Sequence, residues 1–227
     1  MRLSLSGFPE MLDLECDAVP VLEIHDSALF ARVCQSLYSG LDGEALEPYA
    51  LWEGEDQRSS RNRFLFVFNP FDLPWSERAL IGEVLERLED MVLSEDEVRQ
   101  EIEAAGLALS NRVASLGLRL QSDYAFEVQW EMRKYLKAFD FGVEIDPSDK
   151  LLDNLIKFLK FASDAAFEKQ LVFVNLKNFL TGEEVEEFYR QAIFSKLHVL
   201  LLENAPDDAT YEIERKMEAS VVCVTRG

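Results

Sequence analysis

Three neighbouring segments decide the fold of this chain: Leu171-Val-Phe-Val-Asn175, Phe179-Leu-Thr-Gly-Glu-Glu184 and His198-Val-Leu-Leu-Leu-Glu203. The first and third are continuous apolar runs, which are typical of strands buried on both faces of a parallel sheet. Between them, a helical pattern continues from the second segment to Phe194. A strand, a helix and a second strand in this order predict one βαβ unit.

Strand-like segments also occur towards both ends of the chain, among them the apolar run Phe64-Leu-Phe-Val-Phe68. Beyond Pro74 the apolar residues instead recur with a helical period. We therefore predict an α/β fold, in which a head with a mostly parallel sheet flanked by helices is formed by residues 1–71 and 136–227. Residues 72–135 are predicted to form an inserted helical leg.

Composition limits the class of protein. The chain has 227 residues, 48% of them hydrophobic, and a formal net charge of -20, which favours a soluble globular protein and argues against nucleic acid as a general partner. No apolar run approaches the ~20 residues of a membrane span, and the first residues lack the features of a signal peptide. The cysteines Cys16, Cys34 and Cys223 have no metal-ligand spacing, so we expect free thiols in a reducing cytoplasm.

Catalytic fingerprints are missing. A phosphate-binding loop needs glycines and a Lys followed by Ser or Thr, whereas the strand at 64–68 is followed by Asn69-Pro-Phe-Asp-Leu-Pro74, whose prolines have no amide donor. The chain has two histidines, His25 and His198, and neither belongs to a nucleophile signature. We therefore expect the protein not to be an enzyme.

One string imitates a metal nuclease: Pro206-Asp207 followed by Glu214-Arg-Lys216. Residues 209–218 have the pattern of a helix, with a last strand expected at 220–225, whereas this chemistry usually lies on paired strands. We therefore interpret the string as coincidental. Carboxylates also gather around the bends that follow residue 122, and clustered Asp and Glu are the ligands that calcium prefers. Solvent-exposed acids explain the same cluster.

Basic residues are few, so their grouping matters. Arg58, Arg61 and Arg63 fall in one polar loop, and Lys134 and Lys137 fall on one predicted helix next to Arg133. Such groups bind phosphates without reading sequence, although scattered solubilising charge is an equal interpretation. No helix that could read bases and no aromatic stacking platform is evident.

Taken in order, these segments resemble the type II-A CRISPR adaptation (spacer acquisition) proteins. The resemblance is carried by Val19-Pro-Val-Leu-Glu-Ile24, by the helix that ends with Val33-Cys-Gln-Ser-Leu-Tyr38, by Phe64-Leu-Phe-Val-Phe-Asn-Pro-Phe-Asp72 and by the βαβ segment. It implies a head related to nucleotide hydrolases without their catalytic loop, a helical leg, and a homotetrameric ring that threads double-stranded DNA ends.

The resemblance also implies sites and partners. Calcium would be held near the hinge, where Asp123, Glu127 and Asp146 match the family's acids, and the basic groups would contact DNA. The expected partners are double-stranded DNA ends, Cas integrase proteins and the Cas effector nuclease, with no membrane. Two alternatives remain open at this point: a divergent nucleotide-hydrolase-like protein that binds phosphate, and an acidic interaction scaffold that does not bind DNA.

Overall fold

The computed structural model describes residues 1–15, 17–122, 124, 130–207 and 209–218. The chain divides into two compact units, Met1–Pro74 with Ile145–Gly227, and Trp75–Glu144. The sequence placed the corresponding boundaries at residues 72 and 135.

Within the described residues, the strands are β1 (Arg2–Leu5), β2 (Leu12–Asp13), β3 (Val19–Glu23), β4 (Tyr49–Glu53), β5 (Asp56–Arg58), β6 (Phe64–Val67), β7 (Gln170–Val174), β8 (Val199–Glu203) and β9 (Glu214–Glu218). The α-helices are α1 (Ser27–Ser39), α2 (Arg78–Ser94), α3 (Asp96–Gly117), α4 (Met132–Ala138), α5 (Leu151–Asp164) and α6 (Gly182–Phe194). Short 3-10 turns occupy Asp42–Glu44 and Leu176–Phe179.

The first unit is built on a five-stranded parallel sheet in the order β6-β7-β8-β3-β9. The predicted βαβ unit is confirmed, because β7 and β8 are parallel neighbours joined by α6. The turn between them is fixed by a capping box, in which Thr181 Oγ1 accepts from the Glu184 amide at 3.3 Å and Glu184 Oε2 accepts from the Thr181 amide at 2.8 Å. The predicted α/β class is therefore confirmed.

A second, antiparallel sheet in the order β2-β1-β4-β5 covers part of the first unit. Its inward residues Leu3 and Leu51 share one apolar core with Val33 and Leu37 of α1 and with Leu200 of the parallel sheet. The sequence analysis did not predict this sheet, because its central pair, β1 with β4, joins residues more than 40 positions apart and leaves no local signal.

The predicted helix over 209–218 is wrong. Residues Glu214–Glu218 form β9, which runs parallel to β3 with Val19 opposite Glu214 and Glu23 opposite Glu218. Glu, Arg, Lys and Met favour helices, but the open edge of β3 offers backbone hydrogen bonds that outweigh this preference. The last strand, expected at 220–225, lies outside the described residues.

The second unit consists of α2, α3 and α4. Arg133 of α4 forms an ion pair of 2.6 Å with Glu89 of α2, and Trp130 packs on Gly106 of α3. Across the described residues, no helix is both long and apolar enough to cross a membrane.

Candidate functional site

The three candidate DNA-binding arginines lie on the segment that connects β5 to β6. Arg58 is engaged, since its Nε donates to Glu53 Oε2 at 2.9 Å and its guanidinium lies 3.8 Å from Asp56. Arg61 and Arg63 are exposed, and in the described part of the chain neither side chain has an ion-pair partner. Arg61 and Arg63 are therefore the two arginines of this segment that can contact a phosphate without first breaking an ion pair.

The candidate lysines lie one turn apart on α4 and are both exposed. Lys134 Nζ donates to Glu131 Oε1 at 2.9 Å, whereas Lys137 is in the last turn of the helix, where a cation also stabilises the helix dipole. Lys137 has no ion pair with any residue that the structure describes.

Of the three predicted calcium ligands, Asp146 lies within the structure, while Asp123 and Glu127 lie outside the described residues. Asp146 Oδ1 accepts from the side-chain O–H of Ser148 at 2.7 Å and from its amide at 2.8 Å, and these bonds lower the pKa of the Asp146 carboxyl. In the described ranges, no group of three or more His, Cys, Asp or Glu side chains could hold a metal ion. These residues alone do not fit a calcium site, so calcium stays a prediction.

Among the described residues, a buried ion-pair cluster centred on Lys177 was not predicted from the sequence. Lys177 follows β7, and its ammonium lies 2.9 Å from Asp207 Oδ2 and 2.9 Å from Glu214 Oε1. The side chains of Lys177 and Glu214 are only 8% and 3% exposed. The Tyr211 ring lies beneath the ammonium, 5.1 Å from ring centroid to Nζ, and the site opens into a cavity of about 270 Å³.

A second ion pair extends this cluster along the sheet. Glu23, the last residue of β3, receives Lys216 Nζ at 3.0 Å and shares a 2.5 Å hydrogen bond with His25 Nε2. Lys216 also donates to the backbone carbonyl of Asp207. Glu203 ends β8 directly opposite Glu23, because parallel strands end at the same edge of a sheet.

Burial and pairing set the protonation of these groups. Burial lowers the pKa of Lys177, but its hydrogen bonds to Glu214 and Asp207 outweigh that effect and raise it. Burial raises the pKa of Glu203 to about 7, although its Oε1 accepts from the Lys177 amide at 3.1 Å. For Glu23, the hydrogen bonds from His25 and Lys216 overcome burial and lower the pKa. Burial thus brings the pKa of Glu203 close to neutral pH.

The geometry revises the reason for setting the nuclease-like string aside. The string was set aside because 209–218 was expected to be a helix, but Glu214–Glu218 is a strand, and Asp207, Glu214 and Lys216 do come together. However, the Lys177 ammonium lies between the carboxylates of Asp207 and Glu214, in the position that a catalytic metal ion would need. The arrangement suits an internal ion-pair network that fastens β9 and the preceding loop to the sheet.

The strand that leads into α1 also differs from a phosphate-binding strand. After β3 the chain continues as Ile24-His25-Asp26 and enters α1 without a glycine-rich loop. The carboxylate of Asp26 accepts from the Leu29 amide at 2.6 Å, so an anion already occupies the helix N-terminus where a phosphate would bind.

The sequence pattern of the family described as CRISPR-associated protein (Cas_Csn2) matches residues 46–216, well over half of the chain. The chain belongs to the Cas_Csn2 family. This confirms the resemblance and connects the chain to CRISPR adaptation.

The fold agrees with a solved structure. Stu0660 of Streptococcus thermophilus is similar with a TM-score of 0.61 at 15% sequence identity, covering 96% of this chain and 74% of that one. At this identity the similarity concerns the fold alone. No curated protein sequence gives a significant match.

Proposed function

We propose that the protein binds the ends of double-stranded DNA during CRISPR spacer acquisition, as a non-catalytic homotetrameric ring without sequence preference. It would act in the cytoplasm beside Cas integrase proteins and the Cas effector nuclease. The observation that carries the proposal is the Cas_Csn2 match over residues 46–216, on a chain whose fold agrees over 96% of its length with a solved structure.

Local charge makes DNA binding compatible with a net charge of -20. At physiological salt the screening length is about 8 Å, so acids on distant surfaces have little effect on a bound phosphate. Arg61, Arg63 and Lys137 are exposed and have no ion pair in the described ranges, whereas Arg58 and Lys134 would have to exchange a carboxylate for a phosphate. We therefore expect the first three to contribute most.

Two features support a role without catalysis. Asp26 fills the N-terminus of α1, which disfavours a nucleotide phosphate there, and Lys177 fills the space between Asp207 and Glu214. Purified protein is expected neither to hydrolyse ATP or GTP nor to cut DNA in magnesium or manganese. DNA cleavage by the purified protein that disappears in Glu214→Gln would instead establish a nuclease.

The test of DNA-end binding compares linear duplex with closed circular duplex of the same sequence by gel shift. A ring must be threaded, so linear DNA should bind and circular DNA should bind poorly. Neutralising Arg61 and Arg63 should weaken every duplex sequence similarly and reduce the salt slope by about 0.9 for each lost phosphate contact. Arg190→Gln is the matched control, because Arg190 is already paired with Glu187 at 2.5 Å.

The possible results separate the alternatives. Equal affinity for linear and circular duplex would disprove threading, and no affinity at low salt would favour the acidic scaffold. Light scattering tests the ring independently, since a monomer at micromolar concentration, with or without calcium, contradicts a tetramer.

A further inference from the structure

The outer margin of the parallel sheet carries a row of aromatic rings that the sequence did not predict as a platform. On edge strand β6 and the residue after it, Phe64, Phe66 and Phe68 project from the same face, as alternate residues of a strand do. Phe66 and Phe68 stack with centroids 5.2 Å apart and planes 16° apart. Tyr38, from the end of α1, meets both edge-on at 5.5 and 5.4 Å. We call these four residues the ring ladder.

The outer end of the ring ladder is open. Tyr38 is 66% exposed and Phe68 is 52% exposed, whereas Phe64 and Phe66 are partly buried against the apolar core. The inner rings therefore stabilise the fold, and the outer two have free surface. Contiguous exposed apolar surface, unlike scattered single residues, can mark a binding site.

The two unpaired arginines lie beside this row. Arg63 immediately precedes Phe64. Arg61 lies against the end of α1, since a Cβ on Gly40 would be 3.5 Å from its Cα, and Gly40 is two residues from Tyr38. Asp42, two residues after Gly40, accepts from the Ser60 amide at 3.1 Å. By the alternation that aligns the rings, Arg63 projects from the other face of β6, so this edge carries the exposed rings on one face, Arg61 next to the end of α1, and Arg63 across the edge.

We propose that the ring ladder, with Arg61 and Arg63, binds single-stranded DNA, such as the unpaired end of a duplex. Proteins that bind single strands without sequence preference combine cations for the phosphates with aromatic rings on which bases stack. This site shares Arg61 and Arg63 with the duplex binding proposed above, whereas its stacking rings are additional and do not require a tetrameric assembly.

The arginines decide between a polyanion and a second copy of this chain. A second copy placed on the ring ladder by a two-fold axis would bring its own Arg61 and Arg63 to the same margin, and like charges in contact oppose association. Phosphates supply the opposite charge, and bases supply flat apolar surfaces. Single-stranded DNA therefore complements both features of this margin.

The test measures fluorescence anisotropy of a labelled dT20 strand and of an abasic strand of equal length at low salt. Wild-type protein should bind dT20 more tightly than the abasic strand. Tyr38→Ala and Phe68→Ala should each weaken dT20 binding about five-fold or more and leave the abasic strand unchanged, as expected for lost stacking. Phe68→Leu, which keeps apolar volume but removes the ring, should behave like Phe68→Ala. The control is Phe194→Ala, because Phe194 is 83% exposed on α6 and has no ring contact in the described residues.

The charge and stacking contributions are separable. Arg61→Gln and Arg63→Gln should weaken dT20 and the abasic strand alike, each lowering the salt slope by about 0.7, while Arg190→Gln should change neither. In a parallel assay with blunt duplex, the aromatic variants should bind like wild type, so a failure of duplex binding is distinguishable from a failure of this site. Unchanged dT20 affinity in Tyr38→Ala and Phe68→Ala would overturn the proposal. So would a change of oligomeric state in these variants without loss of dT20 binding, because the ladder would then be a contact between copies.

Discussion

Two helical glycines give a matched test of packing in the second unit. Gly106 is buried in α3, and a Cβ there would overlap three atoms of the Trp130 ring. Gly82 is in α2, and a Cβ there would meet nothing within 4 Å. Gly106→Ala and Gly82→Ala therefore add the same methyl group to two helices of one unit, and only the first meets an obstacle.

The structure predicts the direction in which each substitution changes the free energy of unfolding. In a helix, replacing Gly by Ala removes backbone freedom from the unfolded chain and stabilises by about 0.5–1 kcal/mol, which is the full effect expected for Gly82→Ala. Gly106→Ala receives the same gain but must displace Trp130, and overpacking of this kind costs about 1–3 kcal/mol. The ring lines a cavity of about 460 Å³ that gives it room to move, so the overpacking cost less the helix gain should leave a net loss of up to about 2 kcal/mol.

The assay is thermal unfolding followed by circular dichroism, with tryptophan fluorescence as a second signal. Gly82→Ala should raise the melting temperature, while Gly106→Ala should lower it and shift the emission of Trp130 towards that of a solvated indole. The double variant Gly106→Ala/Trp130→Ala should remove the overlap, so that Gly106→Ala becomes stabilising in that background. If Gly106→Ala stabilises the wild-type protein as much as Gly82→Ala does, the contact between Trp130 and α3 is wrong.

The other predictions concern buried charge and metal. Lys177→Met should lower the free energy of unfolding by about 3–5 kcal/mol, because it leaves two carboxylates uncompensated. The control Lys160→Met, at an exposed position, should change it little. Equal melting temperatures for the two variants would contradict the buried network. The pKa of Glu203 is raised from 4.5 in the unfolded chain to about 7 in the folded protein. Its stabilising contribution to the free energy of unfolding is therefore present in full below pH 4.5 and is lost, by about 3 kcal/mol, as the pH rises through 7. Urea unfolding should show this loss in the wild type but not in Glu203→Gln. If calcium binds, millimolar calcium should raise the melting temperature by mass action and Asp123→Asn with Glu127→Gln should abolish the rise, whereas no shift in wild-type protein would mean that no calcium is held.

The βαβ unit and the basic groups were accessible from the sequence because each depends on neighbours along the chain. Leu171 to Asn175 and His198 to Glu203 are apolar without interruption, so they predict buried parallel strands whatever surrounds them. The family resemblance rested on these segments together with other local stretches such as Val19 to Ile24 and Phe64 to Asp72. Arg61 and Arg63 were found as a local cluster, but the ion pair that distinguishes Arg58 from them depends on the β4–β5 hairpin.

The carboxylate and lysine cluster was not accessible in the same way. The string Pro206-Asp207 and Glu214-Arg-Lys216 gave a signal, but the helical propensity of the second part led to the wrong element. The residue that neutralises two of the acids, Lys177, is 30 positions away from Asp207 and 37 from Glu214. No sequence window of helical or strand length contains such a pair.

The ring ladder likewise depends on contacts between residues that are distant in the sequence. Alternation along β6 put Phe64, Phe66 and Phe68 on one face, and this much follows from the sequence. Only the tertiary structure made β6 an edge strand and brought Tyr38 and Arg61 to it. By itself the sequence determined which segments are buried, because periodicity and apolar content act over a few residues. The fold decided which polar and aromatic groups meet, because that depends on strand order, and strand order is set by long-range pairing such as that of β3 with β8 and β9.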